Sequence, residues 1–109
     1  MKSINVYTPD NWVILEIKQE EQDPLYKLLT GVSGGYLDTG SWRINSGIES
    51  VEEHEDYYLF HGFSGSIYKC YTEFERTRMN NAYILEKLIK NERVSRVNYK
   101  DIKEHLKRF

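Results

Sequence analysis

The groups able to do chemistry gather between residues 31 and 70. All seven glycines stand at 31, 34, 35, 40, 47, 62 and 65, interleaved with Arg43, Asn45, Ser64, Ser66 and Tyr68. A glycine admits positive φ or a close backbone approach that a Cβ resists. Turns built on it can aim successive N–H groups at an anion, and serine hydroxyls add donors. Ser33-Gly34-Gly35, Asn45-Ser46-Gly47 and Ser64-Gly65-Ser66 are the three candidate cradles. Arg43 and Lys69 would supply charge, and Tyr36, Trp42 and Tyr68 could stack on a base. No Walker or dinucleotide fingerprint accompanies them. The plainer reading is that these are hairpin turns.

Parity sharpens the expectation. In a strand over residues 41–45, Trp42 and Ile44 share one face and Arg43 and Asn45 the other. Turns at Gly47 and Gly65 would bring Ser64, Ser66 and Tyr68 to the same polar face. Guanidinium, amide and hydroxyl groups together suit a phosphate or a carboxylate. The alternative is that Arg43 pairs with Glu49 or Glu52 and only solubilises the strand.

Catalytic constellations are thin. Cys70 with His54 or His61 is the sole thiol–imidazole combination, and a lone strand cysteine usually behaves as a small buried hydrophobe. His54, Glu55, Asp56 and His61 have no established metal-ligand spacing. The expectation is a protein without catalytic residues, bound metal or cofactor.

These groups need a scaffold. Residues 12–19, rich in β-branched and aromatic side chains, read as a strand, broken by turn chemistry at Glu20 to Pro24 and resumed over 25–30. Further strands are expected at 41–45, 48–53, 57–61 and 66–71. Trp42, with Ile44, Leu59 and Ile67, is the expected core aromatic. After Thr72 the period changes: Met79, Ala82, Leu85, Leu88 and Ile89 form a helical stripe behind a cap at Thr77 or Asn80. A second helix is expected after Asn98, with Ile102, His105, Leu106 and Phe109 on one face. Strands first and helices last predict an α+β domain spanning 1–109. It would be a small antiparallel sheet of about five strands (residues 12–71) followed by helices over about 78–91 and 99–108.

Gly34-Gly35-Tyr36-Leu37, Ser41-Trp42-Arg43-Ile44-Asn45-Ser46-Gly47-Ile48 and Ser64-Gly65-Ser66-Ile67-Tyr68-Lys69-Cys70 together resemble the pattern of a group of small uncharacterised proteins carried by tailed bacteriophages. The likeness covers the middle half of the chain and not its basic last third. It implies no activity. It implies a setting, the cytoplasm of an infected bacterium, where accessory proteins of this size bind a host protein or a signalling molecule.

Charge and composition bound the remaining possibilities. The single cysteine excludes an internal disulfide. No signal-type apolar core follows Met1, and no segment nears bilayer length, which predicts a cytoplasmic protein without a membrane partner. The net charge of −2 hides a split, with residues 48–75 holding one Lys/Arg against seven Asp/Glu and residues 76–109 ten against four. The basic tail could lie against the acidic segment, or either could face a partner. The leading expectation is a non-enzymatic binding protein that interferes with a host function, by occupying a host protein or sequestering a small anionic ligand such as a nucleotide. The alternative is a nucleic-acid-binding module acting through basic C-terminal helices.

Overall fold

Four consecutive apolar residues, Trp12-Val13-Ile14-Leu15, fix the architecture. Alternate side chains of a strand point to opposite faces, so a strand apolar at every position must be covered on both sides. The computed structural model, which describes residues 6–32 and 41–109, places all four at no more than 1% exposure. Trp12 and Ile14 enter one core, and Val13 and Leu15 a second.

The strands are β1 (Val6–Tyr7), β2 (Asn11–Gln19), β3 (Gln22–Val32), β4 (Ser41–Ile44), β5 (Ile48–Glu53), β6 (Tyr57–Gly62) and β7 (Ile67–Tyr71). A 3-10 turn at Thr72–Phe74 leads to α1 (Met79–Leu88), β8 (Val94–Val97) and the single helical turn α2 (Tyr99–Ile102). A second 3-10 turn, Lys103–His105, precedes β9 (Lys107–Arg108). One sheet has the order β1-β7-β6-β5-β9 and the other β4-β3-β2-β8. The first sheet packs on one face of the second, and α1 lies on the opposite face, placing Leu85, Ile84 and Leu88 over Val13, Leu15 and Leu29.

This corrects the α+β expectation of one antiparallel sheet followed by two helices. Nine strands in two sheets among the described residues make the chain β-rich. The strands expected from residue 41 to 71 do form, but the chain changes sheet between β4 and β5, at Asn45-Ser46-Gly47, where Gly47 takes φ +134°. Both edges of the first sheet are parallel pairs, β1 with β7 and β9 with β5. The expected second helix stops after one turn, and Lys107 and Arg108 pair with Ser50 and Val51 instead. Pro24 lies inside β3 rather than ending a strand. The β2–β3 register shifts beside it and β4 pairs only with residues 29–32, so Pro24 stands at an irregular, one-sided stretch of β3, where proline is tolerated. The hairpin turn is Glu20-Glu21, with Glu21 at φ +56°.

The expected core aromatic is also corrected. Trp42 sits on edge strand β4 at 42% exposure, in register with Gly31, which has no side chain to pack against it. Leu59 and Ile67 lie half-buried on the outer face of the first sheet. Trp12 is the central aromatic, edge-on to Tyr58 and Phe60 at 5.9 and 5.5 Å between centroids. Its indole N–H donates to the Tyr71 carbonyl at 2.8 Å. Tyr99 closes this core against Tyr58, at 4.1 Å.

Candidate functional site

At one open side of the sandwich, edge strand β4 of the second sheet faces edge strand β1 of the first. Arg43 pairs in register with buried Thr30, so its side chain leaves β4 on the side that faces the first sheet. There it meets Tyr7 and Tyr68. These two are partners in the parallel β1–β7 pair, with rings stacked at 5.1 Å. The Arg43 guanidinium carbon lies 4.3 Å from the Tyr7 ring centroid. Hydrogen bonding to the phenol oxygen of Tyr7, then to that of Tyr68, raises the guanidinium pKa above its ordinary value. Among the described residues no carboxylate pairs with Arg43.

The chemistry follows from the donor inventory. A guanidinium has five N–H groups and no acceptor, and a phenol oxygen that accepts from it still carries its own O–H. The cluster therefore has donors left over and charge that no acid among the described residues neutralises. Such a fork suits an oxyanion.

Of the five residues expected to converge, the structure brings two together, Arg43 and Tyr68. Asn45 is turned inward at 6% exposure, and its Oδ1 accepts the Leu28 N–H at 2.8 Å while its own N–H donates to the Leu28 carbonyl. It continues the β4 ladder and does not share an exposed patch with Arg43. Ser64 and Ser66 belong to the turn after β6, and no contact among the described residues joins their hydroxyls to Arg43. That turn does not form an open cradle. The Phe63 N–H donates to the Gly47 carbonyl at 3.1 Å, and the Ser64 N–H to the Ser46 hydroxyl at 3.1 Å. Acceptors of one expected anion cradle thus take up N–H donors at the other. The third, Ser33-Gly34-Gly35, lies outside the described residues, as does Tyr36.

Tyr7 is the residue that sequence reasoning missed. A two-residue strand has no periodicity to read, and only the parallel pairing with β7 places it.

The other candidates are dispersed. Cys70 is fully buried, and desolvation pushes its thiol pKa well above the ordinary value. It points into the core, whereas His61, of opposite parity to Cys70's register partner Tyr58, lies on the outer face, so no thiol–imidazole pair forms. On that face the Glu52 carboxylate, rather than Glu55 or Asp56, approaches both histidines, His61 at 2.7 Å and His54 at 3.9 Å. No group of three possible metal ligands occurs among the described residues. Lys69 lies between Tyr57 and Tyr71, at 4.5 and 5.3 Å from their ring centroids, on the face of β7 away from Tyr68.

Compared with models of protein families, with curated proteins and with solved structures, the chain finds no match. The candidate site therefore stands on its geometry. No helix among the described residues is long and apolar enough to cross a membrane.

Proposed function

We propose that this chain is a non-catalytic binding protein that captures an oxyanion at Arg43, against Tyr7 and Tyr68. The single observation that carries the reading is a guanidinium set over the Tyr7 ring and influenced by Tyr7 and Tyr68 across the seam between two sheets, with no acid among the described residues paired to it. The anion is a nucleotide phosphate or a carboxylate of a protein partner. With the resemblance to tailed-phage accessory proteins, this describes a protein that works inside an infected bacterium, interfering with a host function by sequestering such a ligand or occupying such a partner. The nucleic-acid alternative loses its two-helix element, and part of its basic charge is internally paired, Arg108 with Glu53 at 3.0 Å and Arg93 with Glu20 at 2.9 Å.

A thermal-shift panel of nucleoside mono-, di- and triphosphates, with host lysate pull-down in parallel, tests the proposal. A nucleotide at 100 times its Kd stabilises the fold by roughly 2.7 kcal/mol. Arg43→Ala should abolish that shift, or the pull-down, while Arg43→Lys retains a weakened one. Binding that survives Arg43→Ala in a folded protein moves the site elsewhere.

A further inference from the structure

A second concave surface lies where the chain leaves β7. The 3-10 turn at Thr72–Phe74 and the start of α2 enclose a cleft of about 500 Å³, lined by Tyr58, Glu73, Glu75, Asn98, Lys100 and Asp101. That volume is within the range of roughly 300–1,000 Å³ typical of small-ligand sites.

Its floor holds two groups with unused capacity. Tyr58 is 8% exposed, yet its hydroxyl has no hydrogen-bond partner among the described residues, and its exposed remainder lines the cleft. That hydroxyl is not sealed from solvent; it opens to the cleft, where water or a ligand group can meet it. The Glu75 carboxylate accepts the Tyr99 N–H through Oε2 at 2.8 Å, and its other oxygen takes no hydrogen bond among the described residues. Glu73 and Asp101 add two more carboxylates, which with Glu75 outnumber the two cations close by, Lys100 in the lining and the Arg96 guanidinium near Glu75. The charge that the cleft lacks is positive.

We propose that this cleft binds a cationic nitrogen group, a primary ammonium or a guanidinium. Both oxygens of Glu75 then have a partner, since the ligand's N–H groups reach the free one. The Tyr58 hydroxyl oxygen accepts a second N–H. Asp101 and Glu73 neutralise further charge at the rim. The cation comes from a free polyamine or from a basic side chain of a peptide. Lys100 belongs to the cleft's own lining and competes with the ligand for the same carboxylates.

Titration calorimetry with spermidine in one arm and N-acetyl-arginine amide in the other tests the site, on the intact chain at low ionic strength. Either probe should bind, and which one binds more tightly identifies the source of the cation. Glu75→Gln keeps an acceptor for the Tyr99 N–H and removes the charge, so binding should weaken at least tenfold in a protein with unchanged circular dichroism. Tyr58→Phe should weaken it several-fold. Lys100→Ala should tighten it, a gain that misfolding cannot mimic. Arg43→Ala should leave it unchanged. The proposal is overturned if neither probe binds at millimolar concentration, or if Glu75→Gln and Lys100→Ala both bind as the parent does.

Discussion

The two tryptophans show how little residue type says about position. Trp12 is fully buried, ringed by Tyr58 and Phe60, while Trp42 lies on an edge strand at 42% exposure. Trp12→Ala should cost about 3–5 kcal/mol, enough to unfold much of a domain this size, and Trp42→Ala less than about 1 kcal/mol. Urea denaturation of both variants checks the contrast. Two glutamates make opposite contributions with pH. The Tyr99 hydroxyl at 2.6 Å, then Arg108, holds the Glu53 pKa below the ordinary value. Its folded value is lower than its unfolded one, so its contribution is present above the ordinary carboxylate pKa and is lost as pH falls through the depressed one. Burial raises the Glu75 pKa. Its contribution is complete below the ordinary value and is lost as pH rises through the raised one. Glu53→Gln should therefore lower Tm at pH 7 and converge with the parent in acid. Glu75→Gln should match or exceed the parent at pH 7, the difference vanishing as pH falls.

Among the elements, the link between β4 and β5 is the most exacting. Gly47 adopts φ +134°, and a Cβ there would meet Phe63 Cδ2 at 2.9 Å and Leu25 Cδ1 at 3.1 Å. Gly65 adopts φ +94° with nothing within 4 Å of a Cβ. Both substitutions to alanine incur backbone strain, of order 1–3 kcal/mol, but only Gly47→Ala adds a collision inside the sheet-to-sheet crossing. Gly47→Ala should be the more destabilising of the two by thermal denaturation, and a reversal would mean that Phe63 moves aside freely. The helix α1 was legible as a helix but not in its phase. Met79 and Ile89, expected on the buried stripe, are 93% and 44% exposed, and Ile84 takes part in the packing instead. A stripe read from spacing fixes the period, whereas its phase depends on the surface beneath. The helix starts at Arg78, whose N–H donates to Asn81 Oδ1 at 2.9 Å, and not at Thr77 or Asn80.

For the molecule as a whole, the acidic middle and the basic tail meet. Strand β9 runs beside β5, and Arg108 reaches Glu53 and the Tyr99 hydroxyl at 3.0 and 3.1 Å. Exposed pairs of this kind contribute about 0–1 kcal/mol each, so their effect is placement rather than bulk stability. A double-mutant cycle on Glu53→Ala and Arg108→Ala should give a coupling of no more than about 1 kcal/mol, shrinking with added salt. A coupling several times larger would make β9 a structural clamp.

The sequence by itself determined the strands from residue 41 to 71, the first of its two expected helices, from Met79, and the split of charge, because period-2 and period-3.6 patterns and local composition are short-range properties. It also pointed to Arg43 and Tyr68. Only the tertiary structure decided that the strands form two sheets, that Trp12 rather than Trp42 is central, and that residues 107–108 join β5. It alone turned Asn45 inward and made acceptors of the turn at Gly47 take up N–H donors of the turn at Gly65. Alternation marks which side of a strand is buried, but the same alternation fits either sheet. The choice depends on contacts between residues far apart in the chain. Tyr7 meets Tyr68 and Arg43 by that route, and Glu75 meets Tyr99 by it too.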